Sequence, residues 1–390
     1  MKDFHYYTPT DYTFGRGAEL QVAAKAAEYG ASKVLIVYGG GSAVKSGLME
    51  RVETAMKEAG LPCFLLGGIK PNPTDDRVRE GLEICRDEGI DLLVAVGGGS
   101  VIDTCKAIAV GFYYSGDVMD IYTKKAVPAK ALPIGVVLTI PASGSEGSNS
   151  SVITFREGQR KIGINYDIIR PRFALLNPEL TFTLPPYQTA CGITDMMAHI
   201  MERYFTGTPH CELTDALAQG ALRTIAAQGL IVMDEPRNYE ARANLMWAGT
   251  LAHNGTFGAG REEDWASHRM EHELSARYGV AHGAGLAVIF PAWLTYVTLF
   301  KPAKVAQYAR EVWDVKPAPT EAETAHRGIE CLKHYLTSIG MPVSLNELLP
   351  GQKVNIDLLI KGLQANMGDT VGNYVHLSMK ECARIYELAQ

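Results

Sequence analysis

Short apolar runs, each bounded by turn residues, limit the fold of this chain more strongly than any other feature. They are rich in β-branched residues and occur in the first half of the chain, at 33–38 (KVLIVY), 91–96 (DLLVAV), 133–140 (PIGVVLTI) and 171–177 (PRFALLN). Such runs are typical of strands buried on both faces of a parallel sheet. Between them, 47–60 and 75–89 have helical periodicity and end in glycine, a common helix stop. The alternation predicts an α/β domain of the nucleotide-binding kind.

The composition changes after Leu184-Pro185-Pro186. Segments 214–233 and 239–255 are rich in Ala, Leu and Met at helical spacing, and β-branched runs nearly vanish. A chain of 390 residues is long enough for two domains. We therefore predict an α/β dinucleotide-binding domain over 1–185 and an all-α domain over 186–390.

Charge and cysteine usage narrow the class of partner and the compartment. A formal net charge of −6 argues against nucleic acid or an anionic membrane as the main partner. The 7 cysteines are scattered without a CxxC pair, which favours reduced thiols. The first residues lack the apolar core of a signal peptide, and no apolar run approaches the roughly 18 residues of a spanning helix. We expect a cytoplasmic protein.

Three glycine- or serine-rich loops follow predicted strands, at 38–47 (YGGGSAVKSG), 96–106 (VGGGSVIDTCK) and 140–151 (IPASGSEGSNSS). Glycines at the carboxyl ends of parallel strands let backbone amides approach phosphate groups. No loop has the GxGxxG pattern, and a single glycine triplet can serve only as a turn. Three such loops in one domain favour a nucleotide site.

The first loop bears on the choice of cofactor. Sites specific for NAD usually have an acidic residue near the end of the second strand, which binds the ribose hydroxyls and repels a 2′-phosphate. This chain has Gly39, Gly40, Gly41 and Ser42 there, with Lys45 close by. The absence of an acidic residue favours NADP(H) over NAD(H), unless this turn does not touch the ribose.

Asp195 and His199 are spaced to share one face of a helix, and His268, His272 and His282 follow in a second segment. A carboxylate and several imidazoles suit a divalent ion such as Fe²⁺, Zn²⁺, Ni²⁺ or Co²⁺, and not Ca²⁺. Any one of these histidines alone could equally be a core or solvated residue. The set predicts a metal site.

Four motifs together resemble the iron-containing (group III) alcohol dehydrogenases, and in particular their butanol dehydrogenase and broad aldehyde reductase branch. The resemblance covers essentially the whole chain, and its motifs are GGGSVID (97–103), ASGSE (142–146), TDMMAHIME (194–202) and HRMEHELSARYGVAHG (268–283). It implies a Rossmann-like N-terminal domain and a helical C-terminal domain, the architecture shared with dehydroquinate synthase. It also implies reversible, NAD(P)-linked interconversion of small alcohols and aldehydes.

The resemblance also implies roles for individual residues. The expected metal ligands are Asp195, His199, His268 and His282, with Fe²⁺ expected first and Zn²⁺ or Ni²⁺ as alternatives. His272 is expected near the nicotinamide, either as a proton relay or only as an orienting group. In the nucleotide site, the residues implied at the pyrophosphate are Gly97, Gly98, Gly99 and Ser100. Asp103 is implied at the nicotinamide end with a catalytic role, and Lys161 at the ribose. Thr139, just before the third loop, and Ser143, within it, are also expected to bind the cofactor. Ala142-Ser143 replaces a Thr-Thr pair common in the family.

The expected reaction is NADPH-dependent reduction of small aldehydes. A polyol dehydrogenase of the same fold is the first alternative. A lyase resembling the sugar-phosphate cyclases would need clustered basic residues, but 244–300 offers only Arg261, Arg269 and Arg277. A structural metal domain without activity is a further alternative. Segment 4–17 alternates aromatic and polar residues as a hairpin would, and the resemblance points to a homodimer formed through it.

Overall fold

The computed structural model describes residues 1–157 and 160–390, and the chain divides into two compact units. The α/β unit is Tyr7–Thr183, and the helical unit combines Met1–Tyr6 with Leu184–Gln390. The boundary expected after residue 185 thus lies two residues beyond the observed one. The first six residues belong with the helical unit because the Met1 ammonium donates to the Pro209 carbonyl at 2.6 Å.

The α/β unit is built on a six-stranded parallel sheet in the order β1-β8-β5-β4-β2-β3, with β6 and β7 as a separate antiparallel hairpin. Its strands are β1 Asp11–Phe14, β2 Val34–Gly39, β3 Cys63–Ile69, β4 Leu92–Gly97, β5 Ile134–Leu138, β6 Ser150–Phe155, β7 Arg160–Asn165 and β8 Phe173–Leu176. The four predicted strands are confirmed as β2, β4, β5 and β8. Strand β3 was not predicted: its apolar run at 63–66 is followed by Gly67 and Gly68, and only Leu66 and Ile69 are buried at this edge of the sheet.

Helices of this unit follow the strands. They are α1 Val22–Glu28, α2 Ser42–Lys45, α3 Leu48–Glu58, α4 Asp75–Glu88, α5 Gly99–Phe112 and α6 Val118–Tyr122. Helices α3 and α4 match the two predicted amphipathic segments. Strands β2, β4 and β5 are neighbours in parallel register, so Tyr38 lies beside Val96 and Gly97 beside Leu138. The three loops that leave these strands therefore begin on the same side of the sheet, at the carboxyl ends of the strands.

The N-terminal hairpin prediction is wrong for this chain. Segment 4–17 contains one strand, β1, which pairs in parallel with β8 from Asp11↔Phe173 to Phe14↔Leu176. The aromatic residues before it, including Phe4 and Tyr6, are exposed. The alternating pattern reflects an edge strand with an extended lead-in, since β8 already supplies the pairing partner. The homodimer stays a prediction.

The helical unit packs its helices around one large apolar core. Its helices are α7 Pro186–Tyr204, α8 Glu212–Asp234, α9 Tyr239–His253, α10 Ala266–Tyr278, α11 His282–Thr298, α12 Pro302–Trp313, α13 Glu321–Ser338, α14 Leu345–Leu348, α15 Ile356–Met367 and α16 Met379–Leu388. A two-residue antiparallel pair, β9 Thr370–Val371 and β10 Leu377–Ser378, departs from the all-α expectation. By length and composition α8 could cross a membrane, a weak indication because core helices of soluble proteins pass the same test.

Candidate functional site

Three helices of the helical unit supply the predicted metal ligands. Asp195 and His199 lie one turn apart on α7, which is buried along most of its length. His268 stands in the first turn of α10, and His282 is the first residue of α11. The metal-ligand candidates thus come from one turn of α7 and from the starts of α10 and α11.

One carboxylate oxygen is the geometric centre of this group. Oδ1 of Asp195 lies 3.1 Å from Nδ1 of His199, 3.6 Å from Nε2 of His282 and 3.9 Å from Nε2 of His268. The ligand atoms of Asp195, His268 and His282 all lie within 4.8 Å of one another. His199 lies beside these three, with its ring centroid 4.5 Å from that of His268. The structure therefore brings the four predicted ligands together.

Two atoms in this group indicate what the site would hold. Oδ1 of Asp195 and Nε2 of His268 are buried without a hydrogen-bond partner among the described residues. A buried polar atom left unpaired costs about 1–3 kcal/mol, so two such atoms facing the same point need an explanation. A divalent cation supplies it. One carboxylate oxygen with three imidazoles, and no thiolate, fits Fe²⁺ or Zn²⁺.

Buried glutamates orient two of the histidines. Nδ1 of His268 lies 2.8 Å from Oε1 of Glu202, which also accepts a bond from the His268 amide at 2.9 Å. Nδ1 of His282 contacts Oε2 of Glu271 in the same way. Partners of this kind fix the ring orientation and leave Nε2 for a cation. The sequence analysis missed both glutamates, although Glu202 is three residues after His199 and Glu271 three after His268, which is same-face helical spacing.

Electrostatics prepare the site for a cation. Burial alone would raise the pKa of Asp195, but the imidazoles of His199 and His282 hold it well below its usual value. Burial lowers the pKa of His199. Burial would also lower the pKa of His268, but the carboxylates of Asp195 and Glu202 outweigh it and raise that pKa. An ionised carboxylate and a neutral imidazole are the forms that bind a metal, so the pKa directions of Asp195 and His199 favour binding.

His272 lies outside the Asp195 group. Its ring centroid is 5.5 Å from that of His282, and its ligand atom lies within 4.8 Å of those of Glu271 and His282. It is partly exposed, so it can exchange protons with solvent. His253 and Trp265 were not predicted, yet their rings flank the site, with centroids 4.4 Å from His199 and 5.0 Å from His268 respectively.

In the α/β unit, the second and third loops are packed against each other. A Cβ added to Gly98 would overlap Cγ2 of Ile140, and one added to Gly99 would overlap Oγ of Ser143. The Thr139 amide donates to the Gly97 carbonyl at 3.1 Å. Glycine is therefore required here by the close approach of two chain segments.

The first loop differs from this. A Cβ on Gly39 would meet only ordinary contacts, 3.6 Å from the Ile69 carbonyl and 3.8 Å from Cγ2 of Val101, and neither Gly40 nor Gly41 has a neighbour within 4 Å of such an atom. Ser42 and Lys45 follow on α2 and are exposed. No acidic side chain occupies positions 39–42, as expected from the sequence.

Asp103 and Lys161 are already engaged within the unit. The two carboxylate oxygens of Asp103 accept hydrogen bonds from Oγ of Ser145 at 2.7 Å and from the Val152 amide at 2.9 Å, and burial raises the pKa of this carboxyl. Nζ of Lys161 donates to Oδ1 of Asn72 at 3.0 Å. The visible role of Asp103 is thus to hold the third loop, and its direct catalytic role stays a prediction. Ser100 continues α5 beside Gly99.

Comparison with known proteins gives consistent matches along the chain. The profile described as iron-containing alcohol dehydrogenase matches residues 9–178, and that of the Fe-containing alcohol dehydrogenase family, C-terminal, matches 189–389. NADH-dependent butanol dehydrogenase A of Clostridium acetobutylicum is 39% identical over 99% of both chains. The NADPH-dependent aldehyde reductase YqhD of Escherichia coli is 35% identical over 100% of both. The crystal structure of NADH-dependent butanol dehydrogenase A from Thermotoga maritima has a TM-score of 0.96 at 37% identity, covering 100% of this chain and 99% of that one.

Proposed function

The chain belongs to the iron-containing alcohol dehydrogenase family, an NAD(P)-dependent class of oxidoreductase, and on that premise we propose that it reduces small aldehydes to primary alcohols with NADPH and catalyses the reverse oxidation. The observation that carries the proposal is the convergence of Asp195, His199, His268 and His282 around one buried, unpaired carboxylate oxygen.

These four residues would hold one divalent ion, and Fe²⁺ is our first choice. When bound, the ion supplies Lewis acidity that polarises the oxygen of the alcohol or aldehyde. The chain's own residues fix the ligands: Glu202 and Glu271 hold the two imidazoles of α10 and α11 in orientation. The nicotinamide carries the hydride, so for this transfer the role of the protein is to bind and orient the dinucleotide.

His272 is our candidate for moving the proton that the reaction consumes at the substrate oxygen. It is partly exposed and lies beside His282 without joining the Asp195 group. An imidazole titrates near neutral pH and can pass protons between a buried site and solvent.

The preference for NADPH rests on the open first loop. An acidic side chain at position 39 would repel a 2′-phosphate, whereas Gly39 leaves room and backbone amides for it. The exposed hydroxyl of Ser42 and ammonium of Lys45 can donate charge-assisted hydrogen bonds to that phosphate. Relatives named for NADH and for NADPH are both similar to this chain, so the preference is argued from these residues alone.

We also propose that the protein works as a cytoplasmic homodimer and needs neither nucleic acid nor membrane. Its net negative charge and the exposed aromatic residues Phe4, Tyr6 and Tyr7 support this. Light scattering at micromolar concentration should give twice the monomer mass of 42.4 kDa, and a monomer would contradict the proposal.

The reaction is tested by metal analysis of the purified protein together with NADPH consumption on straight-chain aldehydes of two to six carbons. We expect one divalent ion per chain, and turnover that is lost on chelation and restored by Fe²⁺. Glycerol and 1,3-diols serve as comparison substrates for the oxidation. Greater efficiency with these polyols than with primary alcohols would replace the proposed substrate class, and metal-free protein with full activity would overturn the proposal.

A further inference from the structure

The ammonium of Lys106 is the most enclosed charge in the α/β unit that the reaction does not use. Its side chain on α5 is fully buried, and Nζ lies within hydrogen-bond distance of five oxygen atoms. These are the carbonyl and Oγ of Ser145 at 2.7 and 2.9 Å, the carbonyl and Oγ of Ser148 at 2.9 and 3.1 Å, and the Ser150 carbonyl at 2.8 Å. Five oxygens around one nitrogen resemble the shell of a bound cation.

A buried ammonium is costly to desolvate, so its retention needs a compensating contact. Burial lowers the pKa of Lys106 to about 8, a value at which the group is still mostly charged at neutral pH. The carboxylates of Asp103 and Glu146 lie in electrostatic range and favour the charged form, while Arg170 opposes it.

Lys106 belongs to a row of positions on one face of α5. Gly99, Asp103 and Lys106 are spaced i, i+4 and i+7, which aligns them along the helix. Gly99 packs against Oγ of Ser143, and Asp103 accepts a bond from Oγ of Ser145. One helix face therefore holds the loop that leaves β5 at successive points, and Lys106 makes the largest number of these bonds.

The loop lacks regular secondary structure, since residues 141–149 form no helix or strand. Outside the α5 face, Arg170 donates to the Gly147 carbonyl at 2.6 Å, and Asn149 accepts from the Tyr166 amide at 2.9 Å and donates to Oδ1 of Asp167 at 3.1 Å. Three carbonyls, of Ser145, Ser148 and Ser150, and the hydroxyls of Ser145 and Ser148 are all directed at one nitrogen. A single internal cation thus bonds to the loop at 145 and 148 and to the start of β6 at Ser150.

We propose that Lys106 is a positioning residue for the nucleotide, its ammonium holding loop 143–150 in the shape that presents Ser143 to the cofactor. The inference rests on the proposed function, because Ser143 and Gly97–Ser100 are the groups expected to bind the dinucleotide. Arginine is a poor replacement here, since the three N–H donors of an ammonium radiate from one atom and are shared among oxygens that surround one point, whereas a guanidinium spreads its donors in a plane.

The test compares Lys106→Met with Lys106→Arg and a control, Val94→Ala. Methionine keeps the length and burial of the side chain but removes the charge and the donors. Val94 is fully buried in β4 and is not a partner of Lys106. Its truncation is expected to destabilise the same unit while leaving the hydrogen bonds of Lys106 in place. Ser148→Ala removes one of the five acceptors and provides a milder variant if both Lys106 variants fail to fold.

Four quantities are measured on metal-loaded protein: the NADPH dissociation constant by fluorescence, the KM for NADPH, kcat, and bound metal. For Lys106→Met and Lys106→Arg we expect the dissociation constant and KM to rise by at least about tenfold, since a preorganised loop is lost. We expect kcat to change by less than about threefold, because the loop binds cofactor and does not touch the metal ligands. Metal content should stay unchanged, and Ser148→Ala should shift KM in the same direction by a smaller factor.

Hydrogen exchange of the nucleotide-free protein tests the loop itself. Amides of 143–150 should exchange faster in Lys106→Met than in wild type or Val94→Ala. Equal NADPH affinity in wild type and Lys106→Met, or an equal loss in Val94→Ala, would overturn the inference while leaving the proposed function intact. A wild-type protein that binds neither NADPH nor NADH would overturn both.

Discussion

The two candidate sites of this protein are built in opposite ways. The metal centre is built from side chains, and two of its ligand atoms, Oδ1 of Asp195 and Nε2 of His268, are buried without a hydrogen-bond partner among the described residues. The nucleotide loops are built from glycine backbone, which other groups can approach because it has no side chain. The polar side chains around these loops, such as Asp103, already have hydrogen-bond partners. A site of the first kind should fail when an atom is removed, and one of the second kind when an atom is added.

The largest effect is expected from removing a ligand. Asp195→Ala or His268→Ala should abolish bound metal and lower kcat/KM by at least about 1000-fold, which corresponds to about 4 kcal/mol of transition-state stabilisation. NADPH binding should persist, because the α/β unit has its own core. Metal analysis and fluorescence titration measure the two properties separately. His326→Ala, at an exposed position of α13, is the control, and full metal occupancy in either ligand variant would contradict the assignment.

Weakening a ligand's support should cost less than removing the ligand. Glu202→Gln keeps the size of the side chain but loses the charge that faces Nδ1 and the amide of His268. Changes of this kind typically lower metal affinity about 10- to 100-fold. Competition with a chelator measures the affinity, and Glu330→Gln at an exposed site of α13 should behave like wild type. Unchanged affinity in the Glu202 variant would show that the His268 ring is held by packing alone.

Adding one atom to the nucleotide loops should damage them. Gly99→Ala places a Cβ against Oγ of Ser143, so that side chain must change rotamer or the third loop must shift, and either change moves Ser143. Overpacking typically costs about 1–3 kcal/mol, and we expect the KM for NADPH to rise about tenfold or more while bound metal stays constant. Gly220→Ala adds a Cβ where no atom lies within 4 Å, and it should leave KM unchanged. A Gly99 variant that binds NADPH normally would show that this loop adapts, against the close packing seen here.

The smallest effect is expected in the open first loop, where an added side chain fits. Gly39→Asp should shift the roughly tenfold preference for NADPH by about 1.4 kcal/mol or slightly more, enough to turn the preference towards NADH. Gly39→Ala, which adds bulk without charge, should keep the wild-type preference because its Cβ meets only ordinary contacts. Steady-state kinetics with both cofactors decide the matter. Equal or better efficiency with NADH in the wild type would refute the proposed preference.

The amino-acid sequence alone determined those features that depend on local periodicity. Strands β2, β4, β5 and β8 were predicted because continuous apolar runs are sufficient to identify buried parallel strands. The pairing of Asp195 with His199 was predicted because helical spacing fixes which residues share a face. The clustering of His268, His272 and His282 predicted that further ligands come from this second segment, and the positions of the three loops after strands predicted the nucleotide site. The choice of His268 and His282, and the individual roles in the nucleotide loops, came from the family motifs.

Only the tertiary structure decided which distant residues meet. Strand β3 was not predicted because its apolar run is short and ends in two glycines, and the pairing of β1 with β8 was not predicted because it joins segments far apart along the chain. Glu202, Glu271 and Lys106 are charged residues that, from sequence, would be placed on the surface. They are buried because each has partners supplied by packing: an imidazole for each glutamate, and five oxygens of a single loop for the lysine. Whether a charge can be buried depends on the groups that surround it in space, and local sequence does not specify those groups.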